Sequence, residues 1–403
     1  MSFSPRSRKR FTTALAAVTS FVWLSLTAAA QQAGGEAEER APLGLRAGAA
    51  TLFPWVELRQ GYDDNFNASA SNPQAGNVSE IEAGLRWQSD WSRHRMSGEL
   101  RGEVAALDGD FGDAQGDTEM RGEARIDISS RTSALVSAGY LFDFDGDTRD
   151  QTYVAAGALR HAFNRLSLAL RAGVEVKDYS DNRGAASSIA ETDVADYRQD
   201  SLGLRAAYEI SPLSEAFAEA GVNRRDYRQR VDVNGYLRGS KGYWGKLGMT
   251  RSNGSKLRGE LALAYNRQDP DDARLNNAEG IGIDAALAWR VGALTELRLS
   301  ARSGIGETTL AGASGYREQM GRIELSHELG RRAVLDGYLS YRRDDYVGVA
   351  LAEDTLEAGI GFDYFLSRAS TLTADYRHLR FASSQPGADY NANRFTVGLR
   401  LER

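Results

Sequence analysis

The feature that most constrains this chain is a beat of roughly 40 residues in which two apolar/polar alternating segments are joined in turn by a tight four-residue connection and a longer acidic, Gly-rich one. The tight connections begin near Trp91, Ser130, Asn164, Ser211, Ser252, Gly292, Gly330 and Ser367. Several are small polar quartets suited to turns: Trp91-Ser92-Arg93-His94, Ser130-Arg131-Thr132-Ser133, Ser252-Asn253-Gly254-Ser255 and Ser367-Arg368-Ala369-Ser370. Between them the longer connections fall around 63–77, 107–117, 145–150, 180–193, 228–235, 267–278, 308–315, 346–353 and 382–391. Eight turns and nine loops separate eighteen strands, with sixteen as the alternative count; alternation is less clean near Thr152, Tyr236 and Thr295.

Period two gives each segment two faces. Ile81, Ala83, Leu85 and Trp87 oppose Glu80, Glu82, Arg86 and Gln88, and Met96, Gly98, Leu100, Gly102 and Val104 oppose Ser97, Glu99, Arg101 and Glu103. Met120, Gly122, Ala124, Ile126 and Ile128 likewise oppose Glu119, Arg121, Glu123, Arg125 and Asp127. Each run has about the 9 to 11 residues that a tilted strand needs to cross a bilayer. A soluble β-sandwich also alternates, but its inner face must fill a packed core with large aliphatic residues. Here the apolar face is often Ala and Gly, which suffices against lipid. The expected fold is all-β: a transmembrane, antiparallel up-and-down β-barrel over residues 51–403.

The mean hydropathy is negative, which excludes a helical membrane bundle, and the one long apolar stretch stands at the N-terminus. There Arg6, Arg8, Lys9 and Arg10 precede an apolar run over 11–26 and then Ala28-Ala29-Ala30, the pattern of a secretory signal peptide over residues 1–30. Removing those four basic residues takes the formal charge from −6 to −10, an acidic balance that argues against nucleic acid as a partner. Residues 31–50 read as a flexible periplasmic lead-in. The absence of Cys excludes disulfides and thiolate metal sites.

An even strand count puts both termini and all the tight turns on the periplasmic side, with the long loops outside. Tyr62, Tyr140, Tyr179, Tyr227, Tyr265, Tyr341 and Tyr376 stand at strand ends entering the long loops, where an outer aromatic girdle belongs. Trp87 and Trp289, with Trp91, Phe163, Tyr208, Phe362 and Tyr364, stand near the tight turns as an inner one. The polar face then lines the lumen: Glu82 and Arg86; Glu99, Arg101 and Glu103; Glu119, Arg121, Glu123, Arg125 and Asp127; and, further round, Arg171, Glu175, Arg258, Glu260, Arg298 and Arg302. Opposite charges on neighbouring strands form cross-strand pairs. Eighteen strands enclose more space than side chains fill, so the expected activity is a passive aqueous pore.

Catalysis is not expected. A Ser, His and acid constellation at the outer rim would have to use His378, with Asp375 or Asp389 and Ser383 or Ser384, and rim polarity accounts for these residues. Nor is a metal or cofactor expected. The runs Asp143, Asp145, Asp147, Asp150 and Asp108, Asp110, Asp113, Asp117 resemble calcium loops only superficially, since Val154 stands where an EF-hand needs its bidentate Glu.

The segment Leu52-Phe53-Pro54, with Gly61-Tyr62-Asp63-Asp64-Asn65 and the strand ending Trp91-Ser92-Arg93-His94, resembles the putative β-barrel porin type 2 family over most of the mature chain. One departure is the last strand, which ends in Glu402-Arg403 in place of the terminal aromatic common in outer-membrane barrels. The resemblance implies a bacterial outer-membrane barrel associated with export of exopolysaccharide or capsular polysaccharide. Its implied partners are outer-membrane lipid and lipopolysaccharide, the barrel assembly machinery and a periplasmic polysaccharide-export protein. A general or small-solute porin, or a structural, surface-interacting barrel without an open channel, are the alternatives.

Overall fold

The computed structural model describes residues 41–145, 148–181, 196–251 and 256–403. The leader over 1–30, the start of the lead-in, Asp147, the turn Ser252-Asn253-Gly254-Ser255 and the bulk of the 180–193 loop lie outside them. Alternation and turn chemistry together produce a single closed sheet. Its first strands are β1 (Leu45–Ala47), β2 (Ala50–Asp63), β3 (Gly76–Ser89), β4 (Arg95–Leu107), β5 (Asp110–Asp127), β6 (Thr132–Asp145), β7 (Thr148–Ala162), β8 (Leu166–Asp181), β9 (Tyr197–Ser211) and β10 (Ser214–Tyr227). The remainder are β11 (Ser240–Arg251), β12 (Leu257–Pro270), β13 (Ala278–Arg290), β14 (Thr295–Gly306), β15 (Gly315–Gly330), β16 (Ala333–Val347), β17 (Ala352–Phe365), β18 (Ser370–Ser383) and β19 (Tyr390–Glu402).

From β2 onward each long strand pairs antiparallel with its sequence neighbour, and β19 closes on β2 from Arg394↔Asp63 to Glu402↔Trp55. Eighteen strands therefore form a closed up-and-down barrel. Closure matters physically, because a free sheet edge in hydrocarbon would leave a row of backbone groups without partners. A strand such as β3, 14 residues long and tilted about 40°, stands roughly 35 Å tall, more than the ~25 Å apolar band of an outer-membrane barrel. The loop ends of the strands therefore project beyond lipid.

Turn residues set the hairpins. Ser129 Oγ accepts from the amides of Arg131 and Thr132 at 3.2 and 3.0 Å, and Ser367 Oγ accepts from Ala369 N at 3.1 Å. At Asp108-Gly109 both residues have positive φ, 49° and 79°, the two-residue turn that matches strand twist. This corrects two expected loops. Residues 107–117 are not a long connection, because β5 runs from Asp110 and its acidic positions belong to the strand. Likewise β6 and β7 extend to Asp145 and from Thr148, leaving two residues between them. The lead-in is also not wholly irregular: β1 pairs with β2 from Leu45↔Leu52 to Ala47↔Ala50.

The molecule has little core. Among the described residues its buried apolar side chains are mostly alanines, such as Ala105, Ala262, Ala264 and Ala278, with two small clusters, Phe66, Val78 and Ala105 under the 63–77 loop and Ala207, Phe217 and Ala262 on β9, β10 and β12. The outer face instead exposes Leu58, Leu100, Met120, Val136, Leu170, Leu204 and Leu263, which is the distribution lipid requires. Glycines serve as sockets for rings: the Trp244 indole lies against the lumen wall where Cβ atoms of Gly221 and Gly203 would stand, and Tyr338 covers Gly359 in the same way.

Candidate functional site

The ionic positions read from the sequence as lumen-facing all stand on the concave face, where their side chains converge. In one cluster Arg59 of β2 meets Glu80 and Glu82 of β3 at 2.8 and 2.9 Å, Glu103 of β4 at 3.2 Å and Glu57 at 3.5 Å. Spanning β3 to reach β4 is possible only from inside. Arg101 extends the cluster to Glu82 at 3.1 Å and Asp117 at 2.9 Å, Arg394 to Asp63 and Glu80 at 2.7 and 2.5 Å, and Arg400 to Glu57 at 2.6 Å. Toward the tight turns, Arg121 pairs with Glu99 at 2.5 Å and Glu119 at 3.5 Å, Arg125 with Asp127 at 3.0 Å and Arg86 with Glu402 at 3.6 Å. Glu123 lies on the same face, opposite Ser137 of β6.

A second cluster lines the other side. Arg171 meets Glu219 at 2.6 Å, and Arg205 bridges Glu219 at 3.6 Å and Glu260 at 2.7 Å. Lys246 meets Asp284 at 2.6 Å, and Glu296 takes both Arg258 and Arg298, at 3.1 and 2.8 Å. Glu175 accepts the Tyr197 hydroxyl, and Arg302 stands on the inner face of β14. Burial separates two kinds of charge. The Arg59, Arg171 and Arg205 side chains are 14 %, 8 % and 5 % exposed and are consumed in holding the wall, whereas Arg121, Arg125 and Arg298 are 50 %, 56 % and 57 % exposed and can meet a passing solute. In a wet lumen such exposed forks bind weakly and reversibly, which suits passage.

The aromatic belts are partly as read. Tyr62, Tyr341, Tyr376 and Trp289 are exposed outward, Tyr140 packs at a tilt beside outward Tyr153, and Tyr265 packs beside Tyr243. Trp87 also faces out, over Gly98. Tyr227 and Tyr179 do not belong to the girdle. Tyr227 is buried inside, packed on Tyr197, and donates to Glu307 at 3.3 Å; Tyr179 shares the inward parity of Arg171 and Lys177. Their place at a strand end was legible, but the parity of β8 and β10 decides the side. Above the belt the outer face carries Arg/Asp pairs, Arg224 with Asp226 and Asp271, and Arg267 with Asp269.

The lumen is not of uniform width. β13 and β14 pair only from Ala285↔Ala301 to Arg290↔Glu296. Above that register β14 leaves the wall and passes inside β13. Ser303 N and Oγ donate to Asp284 Oδ1 at 3.0 and 3.3 Å, Asn266 Nδ2 donates to Ser303 O at 3.3 Å, and Arg317 Nε donates to Glu279 O at 2.6 Å. Gly280 and Gly282 leave the space on β13 that Arg317 and Ser303 fill. The following loop, 307–314, reaches Tyr227 at the top of β10 and Arg238 in the β10–β11 connection. Four strand spacings of ~4.8 Å separate β10 from β14, so a loop making that contact crosses the lumen mouth by roughly 20 Å.

Arg238 fastens this crossing. Its guanidinium is paired with Asp232 and donates to the carbonyls of Thr308 (3.1 Å), Thr309 (3.2 Å), Leu310 (3.2 Å) and Ala313 (2.9 Å). Burial pushes the Asp232 carboxyl up, but the Tyr236 and Asn234 amides and Arg238 outweigh it, so its pKa lies below the usual value. Asp272, which accepts from Leu237 N at 2.9 Å, is held well below the carboxylate range by the Arg274 guanidinium and two backbone amides. Beneath the crossing a cavity of about 240 Å³ remains between the hairpin and the β7–β12 wall, lined by Tyr316, Glu318, Asn223, Trp244 and Lys177 among others. No local pattern announced this constriction. The pair Gly280/Gly282, glycines inside a strand where another segment approaches closely, was the available signal.

The rim residues weighed for catalysis do not converge. His378 Nδ1 bonds Asn393 Oδ1 at 2.8 Å on the outer face, Asp375 is on the inner face, Asp389 accepts from Ser383 N, and Ser384 donates to Ala350 O. Of the acidic runs, Asp150 pairs with Lys177 at 3.2 Å, Asp117 with Arg101, and Asp108 accepts from Asn77 N at 2.9 Å.

Comparison with known proteins places the chain. A family model described as Putative beta-barrel porin 2 matches residues 40–403. Among solved structures, the outer membrane protein opdK from Pseudomonas aeruginosa is 12 % identical, with 87 % of this chain and 99 % of that one covered and a TM-score of 0.44. OccK2 (OpdF) from the same organism is 14 % identical, with 88 % and 98 % covered and a TM-score of 0.44. The siderophore receptor PirA from Pseudomonas aeruginosa is 7 % identical, with 90 % and 85 % covered and a TM-score of 0.41. A search of curated proteins finds no match. The chain belongs to the Putative beta-barrel porin 2 family and is a bacterial outer-membrane β-barrel of porin type.

Proposed function

We propose that this member of the family is a passive pore that takes part in export of an exopolysaccharide or capsular polysaccharide. The observation that carries the pore reading is the continuous inner lining of paired and half-exposed charges, which favours water over a dry plug. Arg forks and carboxylates along the wall present donors and acceptors to sugar hydroxyls, and each contact is weak enough to release. The polysaccharide assignment rests on the family resemblance together with that chemistry. A periplasmic export protein docking at the tight-turn face, assembly by the barrel machinery and outer-leaflet lipopolysaccharide against the Arg/Asp collar complete the reading. The constricted mouth favours a second reading, a small-solute porin, because a coiled polysaccharide needs more width than the crossing loop leaves. A barrel closed by its loops is the limiting case of that constriction.

The tests are separable. Purified protein in planar bilayers should give single-channel current, and complete silence removes the pore. Deletion of the gene should abolish surface polysaccharide while its intracellular precursors persist; an unchanged coat removes the export reading.

A further inference from the structure

The sequence of β14 is written for a place it only half occupies. Its outward alternation, Leu297, Leu299, Ala301, continues through Ser303 and Ile305, although β14 stops pairing with β13 at Ala301. Continuing the observed register, Ala285↔Ala301, would place Asp284 opposite Arg302, Ile283 opposite Ser303, Ile281 opposite Ile305 and Ala278 opposite Thr308. In that arrangement Ile305 would face lipid beside Ile281 and Ile283, which are 74 % and 51 % exposed. Gly280, Gly282, Gly304 and Gly306 would all face the lumen, where no side chain resists closure. Gly280 and Gly282 also permit the present packing of β14 on the inner face of β13.

We propose that the outer half of the β14–β15 hairpin, 302–318, is a gate with two positions. In the closed position, the one described, it lies inside β13 and the 307–314 loop crosses the mouth under the Arg238 latch. In the open position β14 zips onto β13 over seven further pairs, and the loop withdraws. Nine side-chain bonds hold the closed position: four from Arg238 to loop carbonyls, Tyr227 to Glu307, two from Ser303 to Asp284, Asn266 to Ser303 and Arg317 to Glu279. Seven ladder pairs would replace them. The two sets are of similar size, as a two-position element requires. Ile281 and Ile283 also lie at lipid depth, where an edge with no ladder partner is unfavourable, so the membrane itself favours zipping. Sheets in face contact lie about 10 Å apart and paired strands about 4.8 Å, so the hairpin moves by several ångströms. The width control rests on the pore reading; the two positions do not.

The chain has no Cys, so engineered pairs report without background. Asp284→Cys with Ser303→Cys joins neighbours of the closed position and should lock it. Ile283→Cys with Ser303→Cys can join only in the open position, since Ser303 now packs on the face of β13 opposite to Ile283. Both disulfides should form in the full-length protein in lipid vesicles. Arg238→Ala should raise the yield of the second at least tenfold. Oxidation of the second pair should raise single-channel conductance at least twofold over the first, and reductant should abolish the difference. Failure of the second disulfide even with Arg238→Ala, in protein whose β-content and heat-modified gel mobility are intact, would overturn the proposal, as would equal conductance of the two locked forms. Both disulfides forming with no current in any variant would refute the pore while leaving the two hairpin positions established.

Discussion

Replacing Arg59 by Ala removes the cation that four carboxylates share. Three of them retain other partners: Glu80 keeps Arg394, Glu82 keeps Arg101, and Glu57 keeps Arg400. Glu103 loses its pair with Arg59, and the four carboxylates then repel one another across a few ångströms of restricted water. Breaking a buried pair from one side costs ~3–5 kcal/mol, and partial access to the lumen reduces that to about 3 kcal/mol. Arg59→Lys should recover roughly half, because an ammonium on a flexible stem cannot span β2 to β4 and hold several carboxylates at once. The assay is urea unfolding of vesicle-inserted protein followed by tryptophan fluorescence, with the denaturant slope unchanged and the midpoint lowered. Reversal potential in a salt gradient should move toward cation selectivity, since the lumen loses one positive charge. A loss below about 1 kcal/mol for Arg59→Ala would show that the cluster is solvated like an exposed surface pair and that the convergent-wall argument is wrong.

Three further outcomes follow from the wall and its rim. Trp244→Ala should lower stability by about 2 kcal/mol, because it empties the socket over Gly221 and Gly203 on a face that is half wet, and Gly221→Val should destabilise by driving a Cβ into the ring; both are read from the same unfolding curves. Leu204→Arg, in the middle of the lipid face of β9, should cost ~2–4 kcal/mol and lower folding yield in vesicles, whereas Leu213→Arg in the turn should be nearly silent. Asp272 is a lowered-pKa carboxylate, so the order it gives the 232–238 and 271–277 loops is present above the ordinary Asp range and is lost only as pH falls through its depressed value. Protease cleavage after Arg274 should therefore be slow and flat from pH 8 to about pH 5, while Asp272→Asn should make it fast throughout; a wild-type cleavage rate that climbs between pH 7 and 5 would contradict this.

Strand number and face were legible because each is a local property. A residue such as Leu100 or Arg101 declares its side by parity alone, and Ser367-Arg368-Ala369-Ser370 declares a turn by what its hydroxyls can bond. The structure departs from the sequence pattern where strand parity overrides position or where an acidic run conceals a turn. Tyr227 sits at the correct height but on the inward phase of β10. Asp108-Gly109 stands in a run of acids, but positive φ at both residues makes it a tight turn and returns Asp117 to the lumen wall.

What the chain alone determined is therefore the barrel: the two-residue period fixes which atoms can touch lipid and which must stay in water, and a closed up-and-down sheet satisfies both. The mouth was decided only in three dimensions. Whether β14 lies beside β13 or inside it depends on Arg238, Asp284 and Asn266, residues far apart in sequence that compete with a backbone ladder of similar strength. A local pattern cannot report the outcome of such a competition, because both outcomes satisfy it.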